Sequence, residues 1–263
     1  MIEKKTLSDV KCFLLDMDGT FYLGGQLIEG SLEFIEKVRA TGRDFMFLTN
    51  NSSHNANFYV QKLAGMGLNI DRSHVMTSGE ATCEKLRELY PGKRAFVLGN
   101  EFLKAEFAEA GIEVDDADPE IVVIGFDTTL DYKKMQAVCD FVRAGLPYIA
   151  THPDFNFPTE SGFMPDIGAI MAFIEASTGR RPDLIVGKPH TGIVEAVLRR
   201  TGLKTGELAM VGDRLYTDIE TGLRSGMLSI LVMSGETTED MLAESQTKPD
   251  MKFGRLSDMI PLL

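Results

Sequence analysis

Asp16 and Asp18 stand one residue apart in the stretch Phe13-Leu14-Leu15-Asp16-Met17-Asp18-Gly19-Thr20. Alternate side chains of an extended chain share a face, so both carboxylates can point the same way. Paired hard oxygens of this kind suit Mg2+. Farther along, Thr49 and Asn50 offer a hydroxyl and an amide. Lys188 offers a cation between Gly187 and Pro189, and Asp213 and Asp218 form a second acid pair. Phosphoryl transfer from a monoester needs groups of these types: an in-line nucleophile, a cation for the phosphoryl oxygens, a proton donor for the leaving oxygen, and fixed donors around the transferring group.

Each of these groups follows a short apolar run. Cys12 to Leu15 precedes Asp16, Phe45-Met46-Phe47-Leu48 precedes Thr49, Leu184-Ile185-Val186 precedes Lys188, and Leu208-Ala209-Met210-Val211 precedes Asp213. Such runs read as buried strands of a parallel sheet. Their carboxyl ends are where open α/β sheets bind ligands.

The order is acid pair, hydroxyl and amide, lysine, acid pair. With the local sequences DMDGT, FLTNNS, GKPH and GDRLYTDI, it resembles the haloacid dehalogenase (HAD) superfamily of phosphohydrolases. Spacing and neighbours are most similar to its NagD-like, nitrophenylphosphatase-like branch (class IIA, with a large α/β cap), and the resemblance spans nearly the whole chain. It implies that Asp16 is the nucleophile, forming an aspartyl-phosphate that water then hydrolyses. It implies that Asp18 is the general acid for the leaving oxygen and later the base for water, with its main-chain carbonyl on Mg2+.

The remaining roles follow from residue type. Thr49 and Asn50 are candidate phosphate donors, by hydroxyl and backbone N–H. Lys188 can neutralise the charge shared by Asp16 and the phosphate, and Asp213 can complete the metal site. Asp218, about one helical turn on, can orient a metal-bound water or Lys188 without being a ligand, and Arg214 can pair with these acids. The plainer readings are a turn at Asp18, a helix cap at Thr49 or Asn50 ahead of the helix that follows Ser52 and Ser53, and a solvated lysine at 188.

The elements that must position these groups alternate between strand and helix. Ser31 to Ala40 has helical spacing at Leu32, Ile35 and Val38, and Asn55 to Met66 reads as a second helix. The expected fold is α/β: a Rossmann-like, doubly wound parallel-sheet core with an inserted smaller α/β cap domain. The core is expected over 1–79 and 184–263 and the cap over 80–183, with hinges at Thr77–Gly79 and Asp183–Gly187. In the cap, Thr151-His152-Pro153-Asp154-Phe155-Asn156-Phe157-Pro158-Thr159-Glu160 reads as a loop after a strand. His152, Asp154 and Asn156 there are candidate specificity contacts to a polar leaving group. His54, His74 and His190 read as surface or capping residues.

The chain has 263 residues, 44% hydrophobic and 25% charged, with a formal net charge of −12. An acidic balance argues against nucleic acid or an anionic membrane as a partner. It does not argue against a phosphate ester, because a bound cation and a lysine set the local potential. The three cysteines are too scattered for a disulfide framework or a zinc cluster. No signal-peptide or membrane-spanning run is seen, so the expected location is the cytoplasm.

The resulting expectation is a Mg2+-dependent phosphatase acting on a small-molecule phosphate monoester, such as a sugar phosphate or nucleoside monophosphate. The alternatives are a non-catalytic phosphate-binding or regulatory protein of the same fold, and a phosphomutase. A homodimer through the cap stays open.

Overall fold

The computed structural model describes residues 6–159 and 162–263. Met1 to Lys5 and residues 160 and 161, including Glu160 of the cap segment, lie outside the described residues. The chain divides into two compact units. The first comprises Met1–Thr49, Tyr59–Met76 and Pro189–Leu263; the second comprises Asn50–Phe58 and Thr77–Lys188. The expected boundaries were 80 and 183. The observed division also takes the loop after Thr49, and the segment through Lys188, into the second unit.

The first unit is built on a six-stranded sheet. Its strands are β1 (Cys12–Leu15), β4 (Asp44–Thr49), β5 (Val75–Thr77), β12 (Leu208–Gly212), β13 (Leu228–Val232) and β14 (Met251–Phe253), in the order β14-β13-β12-β1-β4-β5. Every pair from β14 to β4 is parallel. In chain order this is 6-5-4-1-2-3, the doubly wound arrangement, and its direction reverses between β1 and β12. Between β1 and β4 lie a small hairpin, β2 (Tyr22–Leu23) with β3 (Gln26–Leu27), and helix α1 (Ser31–Ala40). β1 and β12 are buried along their whole length, as a central strand covered on both faces must be. Phe13 of β1 meets Phe34 of α1 edge-on at 5.5 Å, and Phe21 meets Phe47 of β4 at 4.9 Å. Each such fully buried apolar side chain contributes about 1.5–3 kcal/mol.

The second unit holds a smaller parallel sheet of β6 (Ala95–Leu98), β7 (Ile121–Ile124), β8 (Tyr148–Ala150) and β11 (Leu184–Ile185), ordered β11-β8-β7-β6. Helices α3 (Ser78–Leu89), α4 (Glu101–Glu109), α5 (Tyr132–Arg143) and α6 (Ile167–Thr178) accompany it. Its core gathers Phe96, Val122, Ile124, Val138, Tyr148 and Ile174.

Three local details bear on these expectations. At the expected hinge, Thr77–Gly79, α3 begins at Ser78, and the Thr77 hydroxyl caps it by accepting from the Glu80 N–H at 2.9 Å. A Cβ on Gly79 would lie 2.1 Å from Oε2 of buried Glu106, so the glycine serves the close approach of α4. The proline-rich stretch after Asp154 is not all loop, because β9 (Asn156–Thr159) and β10 (Gly162–Pro165) pair as an antiparallel hairpin. Two prolines hide this pattern from the sequence, yet an edge strand tolerates them. Finally, the helix after Ser53 (α2, Ala56–Gly65) is not capped by Thr49 or Asn50. The Asn55 side chain accepts from the Phe58 N–H at 3.1 Å instead. Among the described residues no helix is long and apolar enough to cross a membrane.

Candidate active site

In the first unit the acids meet at the reversal of strand order. β1 pairs with β12 through Leu15 and Val211, and with β4 through Leu15 and Phe47. Asp16, Asp213 and Thr49 therefore stand at the carboxyl ends of three adjacent strands. The Asp16 N–H continues the ladder by donating to the Val211 carbonyl at 2.9 Å. Asp218 returns to the same place because a π-helical turn, Leu215–Ile219, follows Asp213. Asp16, Asp213 and Asp218 are all buried, and each offers a carboxylate oxygen within 4.8 Å of the others.

Glycines leave room for this cluster. A Cβ on Gly19, whose φ is +86°, would lie 2.4 Å from Asp213 Oδ2, and one on Gly235 would lie 2.0 Å from it. A Cβ on Gly212 would lie 2.3 Å from Asp218. The loop after β13 grips Asp213. The Glu236 N–H donates to Oδ2 at 2.7 Å and the Thr237 hydroxyl donates to the main-chain carbonyl. Thr20 donates to Oδ1 at 3.3 Å. The Arg214 N–H donates to Asp218 Oδ2 at 3.1 Å, and its guanidinium pairs with Glu236 at 2.9 Å.

The cluster is electrostatically crowded. Burial, then the charges of Asp16 and Asp218, push Asp213 up to about 7, against the pull of Arg214 and the Glu236 N–H. Burial pulls the Arg214 guanidinium down, but the three carboxylates outweigh it and hold the charge more firmly. Buried, mutually repelling hard oxygens are the donor set that a divalent cation satisfies. The residues present fit such an ion.

Asp18 is half-buried, and its backbone bridges to Tyr22. Burial raises its carboxyl and the Asp16 charge adds to this, while Lys62, Arg214 and the Gly24 N–H oppose. Lys62, on α2, was not among the expected residues. Its ammonium lies 3.8 Å from the centroid of the Tyr22 ring, a cation–π contact, and burial pulls it down against the attraction of Asp18. No spacing in the sequence marks Lys62, because folding alone places it against Asp18. The Ser234–Thr237 loop was missed for the same reason.

The remaining expected residues lie in the second unit. Asn50 and Lys188 are both buried and form a reciprocal clamp: the Lys188 N–H donates to Asn50 Oδ1 at 2.8 Å, and Asn50 Nδ2 donates to the Lys188 carbonyl at 2.9 Å. Asp154 accepts from the same Nδ2 at 3.1 Å. His152 is fully buried, with Nε2 3.2 Å from both oxygens of Asp166. Burial pulls its pKa down, but Asp166 and Asp154 outweigh burial and Lys188, leaving it above the ordinary histidine value. In this arrangement His152 faces protein groups rather than solvent, whereas Asn156 is exposed on β9. Among the other histidines, His54 stacks with Phe58 and Phe102, His74 pairs with Asp71, and half-buried His190 is pulled down by burial and by Arg224.

A haloacid dehalogenase-like hydrolase model matches residues 13–113, and a HAD-hydrolase-like model matches residues 185–259. An acid sugar phosphatase of Staphylococcus aureus is 35% identical over 255 residues, covering 97% of this chain and 98% of its own. The chain is a haloacid dehalogenase-like hydrolase. Solved structures similar to this hydrolase cover nearly its whole length. A 4-nitrophenylphosphatase from Thermotoga maritima has 47% identity and a TM-score of 0.95, covering 97% of this chain and 98% of its own. NagD from E. coli K-12 has 31% identity and a TM-score of 0.88, covering 95% and 98%. The hydrolase thus has a Rossmann-like core of NagD type with a second, smaller α/β unit inserted in its sequence.

Proposed function

We infer that this hydrolase is a Mg2+-dependent phosphatase that cleaves small-molecule phosphate monoesters, sugar phosphates foremost, through an aspartyl-phosphate on Asp16. The observation that carries the reading is the convergence of Asp16, Asp213 and Asp218 at the strand-order reversal. The phosphatase names of its relatives support the reaction class, and the acid sugar phosphatases among them support the substrate class.

In this reading Asp16 attacks phosphorus in line and Asp18 delivers a proton to the leaving oxygen. Asp18 then withdraws a proton from the water that opens the acyl phosphate. Thr49 by its hydroxyl and Asn50 by its backbone N–H donate to phosphoryl oxygens, and Lys188 offsets their charge. Asp16, the Asp18 carbonyl and Asp213 would hold Mg2+, with Asp218 beside them as a positioning residue. The bound cation supplies charge neutralisation for the phosphoryl oxygens.

The test is turnover of 4-nitrophenyl phosphate and of a panel of sugar phosphates and nucleoside monophosphates. Activity is expected with Mg2+, lost with a chelator and restored by Mg2+. Asp16→Asn should lower kcat by several orders of magnitude, on the order of 10^4 or more. Full activity in that variant, or none in the wild type with Mg2+, would discard the reading.

A further inference from the structure

Within the second unit, every polar atom of the Asn50 side chain has a partner. Its oxygen accepts from the Lys188 N–H at 2.8 Å, and its nitrogen donates to the Lys188 carbonyl at 2.9 Å. The same nitrogen reaches the Asp154 carboxylate at 3.1 Å and 3.3 Å. A primary amide has two N–H donors, so both are used. The partners also dictate which way the amide points: an N–H must face Oδ1, and a carbonyl and a carboxylate must face Nδ2. Gly187 allows this approach, since a Cβ there would lie 2.6 Å from Asn50 Oδ1 and 2.6 Å from the Thr151 carbonyl.

Asp154 is itself well anchored. Its carbonyl accepts from the Gly168 N–H at 2.7 Å, and the next residue, Phe155, accepts from the Asp166 N–H at 2.9 Å. Asp166 is buried, caps α6 through the Ile167 N–H at 2.6 Å, and meets buried His152. The backbone that carries this carboxylate is thus tied to the start of α6.

We propose that Asp154 is a positioning residue, acting through Asn50 to fix the backbone of Lys188 and hence the placement of its ammonium group. Asp154 need not touch substrate to do so. This inference rests on the role given to Lys188 above. A lysine side chain multiplies small backbone rotations along its stem, and a misplacement near 1 Å can cost about 10^2 in rate.

Steady-state kinetics on 4-nitrophenyl phosphate and on a sugar phosphate test the idea with Asp154→Ala, Asp154→Asn, Lys188→Ala and the double variant Asp154→Ala/Lys188→Ala. Asp154→Ala should lower kcat roughly 10- to 100-fold, equally for both substrates and with little change in KM. Asp154→Asn keeps an oxygen that accepts from Asn50 Nδ2, so it should stay within about threefold of wild type. In the Lys188→Ala background, loss of Asp154 should cost nothing further, because its effect passes through Lys188.

An unchanged kcat in Asp154→Ala beside an inactive Lys188→Ala overturns this inference alone. So does a loss that differs between the two substrates, which would make Asp154 a leaving-group contact. If Asp154→Ala does not fold, Asp154→Asn decides: a loss as deep as that of Lys188→Ala overturns the proposal, and near-normal kcat supports it. Full activity in Lys188→Ala would instead overturn the reading of Lys188 itself.

Discussion

A methyl group on Gly19 would sit 2.4 Å from Oδ2 of Asp213, a separation that non-bonded carbon and oxygen do not tolerate. The two residues come from opposite ends of the chain, and the missing side chain of one makes space for the carboxylate of the other. Gly19 also has φ +86°, where an L-residue pays about 1–2 kcal/mol. Gly19→Ala should therefore displace Asp213. We expect at least a tenfold weaker Mg2+ affinity by calorimetric titration, together with a fall in kcat of roughly 10^2. Wild-type metal affinity in a folded Gly19→Ala protein would show that the contact is relieved without moving the acid.

Asp18 should matter most where the leaving group most needs a proton. A nitrophenolate leaves without much help, whereas a sugar alkoxide does not. Asp18→Asn is expected to reduce kcat on a sugar phosphate at least about tenfold more than on 4-nitrophenyl phosphate. Equal losses on the two substrates would remove Asp18 as the acid.

Gly79 is the second residue of α3, and alanine is ordinarily the better helix former. Here its Cβ would meet Glu106 Oε2 at 2.1 Å and Leu103 Cδ1 at 2.8 Å. Glu106 cannot easily retreat, since Thr77 donates to its other oxygen at 2.9 Å. Gly79→Ala should lower stability by about 1–3 kcal/mol in denaturant unfolding. A stabilised variant would mean that the α3–α4 contact yields.

His152 faces Asp166, Asp154 and Lys188, and on balance its pKa lies above the ordinary value of 6.5. The folded state then binds the proton more tightly than the unfolded chain. Its contribution to stability is complete below pH 6.5 and fades as pH rises through the folded-state pKa. The Tm advantage of wild type over His152→Gln should therefore be largest in mild acid and shrink toward alkaline pH. An advantage that grows with pH would reverse the sign.

How far the sequence alone reached depends on the range of each interaction. Buried parallel strands need continuous apolar residues, so Cys12–Leu15, Leu208–Val211 and Leu228–Val232 could be read directly, and so could the acids, hydroxyl and lysine that follow the motif strands. Helices with one apolar face, such as Ser31–Ala40, were equally legible. Only the tertiary structure set β12 beside β1, placed Lys62 against Asp18, and wrapped the Ser234–Thr237 loop around Asp213. It also turned the Asn50 side chain toward the backbone of Lys188, and packed Gly79 closely against Glu106. These partners are far apart in the chain. Their pairing is chosen by strand order, close packing and the need to satisfy buried polar groups, none of which leaves a local pattern in the sequence.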